Sequence, residues 1–192
     1  FMNSKEIKKY LKYLKFKNGK IDIHKYWSID EVHPEYDWLN RKEDDLISEL
    51  DVILNESVSK RMVSDVPLGA FLSGGIDSSL VVAIMNHLKN NPIKTFTIGF
   101  GEKNYDESIH ASNVAKILDT DHYCKNLKVK NLQSLIPHFF EFFDEPFFDS
   151  AAFPTLAVSK LAKEHVTVCL TGDGGDELFG GYHYYNIMKN IE

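Results

Sequence analysis

Hydrophobic and polar positions change rhythm several times along the chain, and each change marks an element. From Tyr13 to Trp27, "YLKFKNGKIDIHKYW", apolar and polar residues alternate on both sides of Asn18-Gly19. Alternation is the period of a strand, and Asn-Gly tolerates the positive φ angles of a tight hairpin turn. A β-hairpin is predicted here, one that must pack on something else because two strands alone are marginal. The segment before it, "FMNSKEIKKY", has only weak helical character. Between about Trp38 and Met62 the spacing turns helical, with Leu46, Ile47, Leu50, Ile53, Leu54 and Val58 on one stripe.

Beyond Val66 the pattern alternates. "DVPLGAFL" and "IKTFTIGF" read as buried strands, "DHYCKNL" as a short strand and "VTVCLTG" as a fourth. Helical spacing fills the gaps: Ser78 to about Asn90, "YDESIHASNVAKILDT" with Asp106 as its N-cap, then "LQSLIPHFFEFFD" and "FPTLAVSKLAKEH". The order β-α-β-α-β-α-α-β from Val66 to Leu170, with strands apolar on both faces, predicts an α/β fold. Its centre is a twisted parallel sheet with helices on both faces. In such sheets ligands bind beyond the carboxyl ends of the strands. Two of those ends carry unusual residues, "SGGIDSS" after the first strand and "TGDGGDE" after the fourth.

Composition narrows the class without naming it. The 192 residues are 43% hydrophobic and 26% charged, ordinary for a globular protein. The formal charge of −6 argues against a general nucleic-acid binder. No apolar run is long enough to cross a bilayer, so no membrane partner is expected. Two cysteines outside any CxxC spacing, Cys124 and Cys169, point to a reduced, cytoplasmic setting. Lysine dominates from Met2 to Lys20 and acids from Asp30 to Asp51, which hints at a boundary near residue 35; two differently charged solvated faces would give the same pattern.

The first turn has the makings of an anion nest. Gly74 and Gly75 allow close backbone approach, the following helix offers unpaired N–H groups, and Ser73, Ser78 and Ser79 add hydroxyl donors. Asp77 would repel a bare phosphate, but fits if magnesium lies between them. The alternative is a glycine-rich turn whose Asp77 merely caps the helix. The turn is neither a GxxxxGK[ST] loop nor a GxGxxG fingerprint. The second turn puts Asp173, Asp176 and Glu177 within five positions. Carboxylates so close repel unless a cation or basic group sits among them. Asp77 and Asp176, from separate strand ends, are suited to share a magnesium ion. A solvated acidic loop is the plain alternative, and the EF-hand calcium spacing is not met. In "FFDEPFFDSAAFPT", Asp144, Glu145 and Asp149 read equally as pocket wall or as helix caps around Pro146. His110, His122 and His138 lack metal spacing, and Tyr182, Tyr184 and Tyr185 read as packing residues.

Taken together, "VPLGAFLSGGIDSS", "FTIGF", "DEPFFDSAAFPT" and "LTGDGGDELFGGY", in that order, resemble the synthetase domain of glutamine-dependent asparagine synthetase. The first block is shared more loosely by the N-type ATP pyrophosphatases; the last makes the resemblance specific. The resemblance spans roughly Tyr13 to Tyr185. It implies that ATP phosphates lie on Ser73, Gly74, Gly75, Asp77, Ser78 and Ser79. It implies that adenosine is held mainly by backbone near Leu72, Ile98, Thr171 and Gly172. Asp77 and Asp176 match magnesium-binding positions, and Asp173 matches an acid near the amino-acid substrate or its adenylate. The implied reaction activates aspartate as β-aspartyl-AMP, releases pyrophosphate, and forms asparagine with ammonia drawn from glutamine.

Two departures accompany the resemblance. The family's glutaminase domain, with its first-residue cysteine, has no counterpart here, and the hairpin resembles that domain's last strands. The family's distal lysine would fall after Glu192. Residues 1–35 are therefore expected to be the remnant of a glutaminase domain, and 36–192 a C-terminally truncated ATP-pyrophosphatase domain, a piece that does not turn over alone. Competing readings are a related amidotransferase or cyclase that adenylates another carboxylate, and a nucleotide-binding module without chemistry. The oligomeric state stays open, a homodimer among the options.

Overall fold

The computed structural model describes residues 10–28, 40–89, 91–100, 106–128, 134–142, 149 and 151–189. The chain divides into two compact units, within residues 1–49 and 50–192.

In the first unit, β1 (Tyr10–Lys17) and β2 (Lys20–Ser28) pair antiparallel as the predicted hairpin. Asn18 and Gly19 take φ values of 54° and 75°, the conformation for which Asn-Gly is suited. The register sets Leu14 opposite Ile23 and Phe16 opposite Ile21, so one face is apolar. All four of these side chains are exposed.

Helix α1 (Glu43–Arg61) carries acids in its first turn and Lys60 and Arg61 in its last, which suits the helix dipole. Its predicted apolar stripe is only partly used. Val58 is buried and Leu54 packs beside it, whereas Ile47, Leu50 and Ile53 stay exposed.

The second unit follows the predicted alternation: β3 (Leu68–Phe71), α2 (Ile76–Leu88), β4 (Lys94–Phe100), α3 (Ser108–Ile117), β5 (Asp121–Leu127), α4 (Ile136–Phe142), α5 (Ala152–Lys163) and β6 (Val168–Leu170). The short helices α6 (Gly175–Phe179) and α7 (His183–Lys189) follow. The four strands form one parallel sheet in the order β5-β4-β3-β6. Two cores cover its two faces. Leu68, Ala70 and Leu72 pack with α2 and α3 residues such as Val82, Met85 and Ala111; Phe96 and Ile98 pack with Leu161 and Val166. Asp106 accepts the backbone N–H of Ser108 at 3.0 Å, just ahead of α3, but the helix's N-cap is Glu107, one residue past the expected Asp106, and makes no side-chain cap bond.

The strand order positions everything that follows. The chain steps outward from β3 to β4 to β5, then returns to lay β6 on the other side of β3. That reversal is a topological switch point, where a crevice opens beyond the strand ends. It makes neighbours of two turns almost a hundred residues apart.

Candidate active site

A cavity of about 530 Å³ lies at that switch point. Its wall takes in Leu72, Ser73, Gly75, Asp77, Ser78, Ile98, Thr171, Gly172, Asp173 and Asp176, ten of the residues singled out from the sequence. Gly74 and Ser79 stand back from it. Gly74 adopts φ 84° and packs on the backbone of His110 and Ala111 in α3; a Cβ there would lie 2.6 Å from the Ala111 nitrogen. The Ser79 hydroxyl is buried without a partner among the described residues, although its N–H donates to Gly75 at 3.1 Å.

The first turn is pre-shaped by its own hydroxyls. Ser78 is buried, and its Oγ accepts the Ser73 N–H at 3.2 Å, lies 2.9 Å from Ser73 Oγ and donates to the Gly75 carbonyl at 3.3 Å. Ser73 Oγ in turn accepts the Gly75 N–H at 3.2 Å. No side chain caps the N-terminus of α2, so Asp77, second in the helix, is not the cap that the simpler reading made it. The first-turn amides of α2 have no intrahelical partners and carry the positive end of the helix dipole.

Leu72 is anchored from both sides. Its N–H donates to Phe96 at 3.0 Å, and its carbonyl accepts the buried Thr97 hydroxyl. What Leu72 can offer a ligand is the second lone pair of that carbonyl.

The second turn presses on the first. A Cβ at Gly172 would lie 2.7 Å from the Ser78 nitrogen, and one at Gly175 would overlap the Asp77 carboxylate. Only glycine lets the two turns come this close. Asp173 donates its N–H to Thr171 Oγ1 at 3.3 Å, and Gly175 donates to the Gly172 carbonyl at 3.2 Å, so the turn is braced internally. Asp77 thus lies against the residue that precedes Asp176, and both carboxylates line one cavity. Among the described residues no group of three or more His, Cys, Asp or Glu is set to hold a metal. The donor set is not a protein-only cage. Two carboxylates beside hydroxyl and amide donors suit magnesium, which keeps positions for phosphate oxygens and water.

Several wall residues carry no signal in the sequence. Phe71, Phe96 and Phe100 at the strand ends, with Pro154 and Val158 of α5, make the apolar part of the wall. Thr97, Thr155, Glu107 and Gly174 add polar positions. Glu107 is the N-cap of α3 and gives no signal of a site in the sequence; the face of α5 shows only once its packing is known. Glu177 and Tyr182 also reach the cavity. Tyr182 donates its phenol to Glu177 Oε1 at 2.6 Å. That bond holds the Glu177 carboxyl below its usual range and pushes the Tyr182 phenol up to about 12. Tyr184 stacks on Tyr182, and the Tyr185 ring lies tilted against it at 42°.

The remaining candidates separate cleanly. Asp149 accepts the Ala151 N–H at 2.8 Å in the turn that leads into α5, whose N-cap Ala151 makes no side-chain cap bond, and it is not part of the cavity wall. Asp144 and Glu145 lie outside the described residues. His122 places Nδ1 2.9 Å from Thr95 Oγ1, and burial lowers its pKa, a structural histidine. His110 is exposed, and the His138 side chain is outside those described. Both cysteines are free thiols, and burial pushes Cys169 up to about 11. No described helix is long and apolar enough to cross a membrane.

Known proteins match most of this chain. The asparagine synthase family model matches residues 49–191. Asparagine synthetase [glutamine-hydrolyzing] 1 of Bacillus subtilis is 41% identical over 151 residues, 79% of this chain and 24% of its own. Asparagine synthetase [glutamine-hydrolyzing] 2 of Oryza sativa subsp. japonica is 33% identical over 148 residues, 70% of this chain and 24% of its own. A Methanocaldococcus jannaschii protein, provisionally named for the same activity, is 44% identical over 170 residues, 87% of this chain and 32% of its own. The chain therefore spans a third or less of the length of these relatives. With its family match covering most of its length and the two diagnostic turns meeting at one cavity, the chain belongs to the asparagine synthase family.

Proposed function

We propose that this chain carries the ATP site of an enzyme that converts aspartate to asparagine. The single observation behind the reading is the meeting of a donor-rich turn and a carboxylate-rich turn on one cavity at the sheet's switch point. The names of its relatives point to the same activity.

In this reading the α2 amides and the Ser73 and Ser78 hydroxyls hold the phosphates of ATP. The adenosine lies toward Leu72, Ile98, Thr171 and Gly172, beside the phenylalanine wall. Asp77 and Asp176 hold magnesium, which when bound offsets charge that develops on the pyrophosphate leaving group. The side-chain carboxylate of aspartate attacks the α-phosphorus, the bond to the β-phosphate oxygen breaks, and β-aspartyl-AMP and pyrophosphate form. Ammonia then attacks the activated carbonyl, AMP leaves, and asparagine results. Asp173 faces the amino acid or its adenylate. The donors around the phosphates are oriented before reaction, so charge growing there meets preset dipoles. The hairpin of residues 10–28 is read as the end of a glutaminase domain that supplies the ammonia, and the enzyme as a cytoplasmic one.

Two measurements on the full-length protein test this. Calorimetric titration of ATP should show magnesium-dependent binding that Asp77→Asn weakens. Pyrophosphate release should depend on aspartate; release only with another carboxylic acid would reassign the chain to a related amidotransferase or cyclase. Binding without release under any acid would leave a nucleotide-binding module.

A further inference from the structure

Asp176 sits on a helix of only five residues, closed at both ends by left-handed glycines, Gly174 at φ 92° and Gly180 at φ 69°. So short a helix does little to fix its own side chains. The chain after it does more. It doubles back at Gly180, and the Gly181 N–H donates to the Asp176 carbonyl at 3.0 Å. Gly181 also lies directly against the Asp176 carboxylate, where a Cβ would overlap Oδ1. The next residue, Tyr182, donates its phenol to Glu177 at 2.6 Å, tying the returning chain to the helix it has just left. The Tyr182 ring stacks on Tyr184 with centroids 5.2 Å apart and planes 14° apart.

We propose that the Tyr182–Glu177 hydrogen bond is a clasp: it holds the 180–182 return over Asp176 and so aims that carboxylate at a divalent cation. Tyr182 is then a positioning residue and not a ligand. The inference rests on the reading of Asp176 as a cation-holding residue. Hydrogen-bond partners that orient a metal-binding side chain govern affinity strongly even though they never touch the ion.

The test measures ATP binding to the full-length protein by calorimetry across a magnesium series, and again with the magnesium chelated. Tyr182→Phe keeps the ring and removes the bond. It is expected to raise the magnesium concentration for half-maximal binding roughly tenfold, the lower range for such partners. Metal-free ATP affinity should not change. Glu177→Ala should give the same shift, and the double variant no more than either single one. Glu177→Gln, which retains an acceptor, should stay near the parent. An unchanged magnesium midpoint in Tyr182→Phe, with a shifted one in Asp176→Asn, would overturn the clasp alone. Loss of metal-free affinity in Tyr182→Phe would also overturn it, because Tyr182 would then be touching the nucleotide. An unchanged midpoint in Asp176→Asn would remove the clasp together with the cation reading beneath it.

Discussion

The turns after β3 and β6 share a cavity but are built on opposite principles. The first is rich in donors: two serine hydroxyls knit it together, and it opens onto the uncapped amides of a 13-residue helix. The second is rich in acceptors: Asp173 ahead of a five-residue helix and Asp176 and Glu177 on it, held by backbone bonds and a tyrosine. Either alone has a mundane explanation, a glycine turn or a solvated acidic loop. Side by side they are unfavourable for most single ligands, since an anion suits one and a cation the other. A polyphosphate that arrives with a divalent cation satisfies both. The pairing, more than either motif, carries the functional reading.

That division of labour has a measurable form, and the carboxylate side should give the largest effect. Asp176→Asn and Asp77→Asn are each expected to weaken MgATP binding by on the order of a hundredfold, the upper range even for the outer partners of metal sites. Metal-free ATP should bind these variants as well as the parent or better, because a negative charge has left the phosphate site. Equal losses with and without magnesium would collapse the distinction between the two turns.

The donor side should respond differently. Ser78→Ala removes a buried hydroxyl that accepts from Ser73, contacts Ser73 Oγ and donates to Gly75. Leaving such groups unpaired costs about 1–3 kcal/mol. Urea unfolding should register that loss, and ATP affinity should fall alike with and without magnesium. A loss confined to the magnesium-bound nucleotide would mean that the serines serve the cation.

A smaller effect is expected one shell further out. Thr97→Val keeps the shape of the side chain and removes the hydroxyl that bonds the Leu72 carbonyl. Stability should fall by about 1 kcal/mol, the usual net value of one hydrogen bond. Because Leu72 leads directly into Ser73, ATP affinity should drop with it; full affinity in a destabilised variant would detach Leu72 from the site.

Much of this arrangement is legible in the sequence, for physical reasons. The parallel sheet is visible because strands buried on both faces read as mostly apolar runs, as "KTFTIGF" of β4 does, with Thr95 and Thr97 buried beside its apolar residues. The hairpin is visible because Asn-Gly suits one kind of turn. Both site turns are visible because close backbone approach demands glycine, and the carboxylates beside it are chemically conspicuous. What stays hidden depends on direction and not on residue type. Phe71, Phe96 and Phe100 look like ordinary core until β3 and β4 are set in register and the cavity is seen to open above them. Pro154, Thr155 and Val158 share a helical face that only packing orients toward the cavity. Asp149 could not be divided between wall and cap from its neighbours, and its bond to Ala151 puts it instead in the turn before α5. The α1 stripe marks the helix, but spacing reports a face that can be buried, not what covers it.

The smallest expected effect reaches the donor turn from behind. Gly74 rests on the backbone of His110 and Ala111, so the seat of the first turn is the start of α3. Asp106 secures that start: the Ser108 hydrogen bonds hold its carboxyl below the usual carboxylate range. A carboxylate whose folded pKa is depressed adds stability above its unfolded pKa, and that contribution is lost as pH falls through the folded value. Asp106→Ala should therefore be less stable than the parent near neutral pH, with the gap closing as pH drops below about 4, where an unfolded aspartate protonates. Urea midpoints of the two proteins at several pH values measure this. A gap that persists at low pH would assign the role to shape and not to charge. Nucleotide affinity should weaken only slightly, since Asp106 acts on the seat of the turn and not on the donors. A loss as large as that from Ser78→Ala would mean that the turn owes its form to α3 more than to its own hydroxyls.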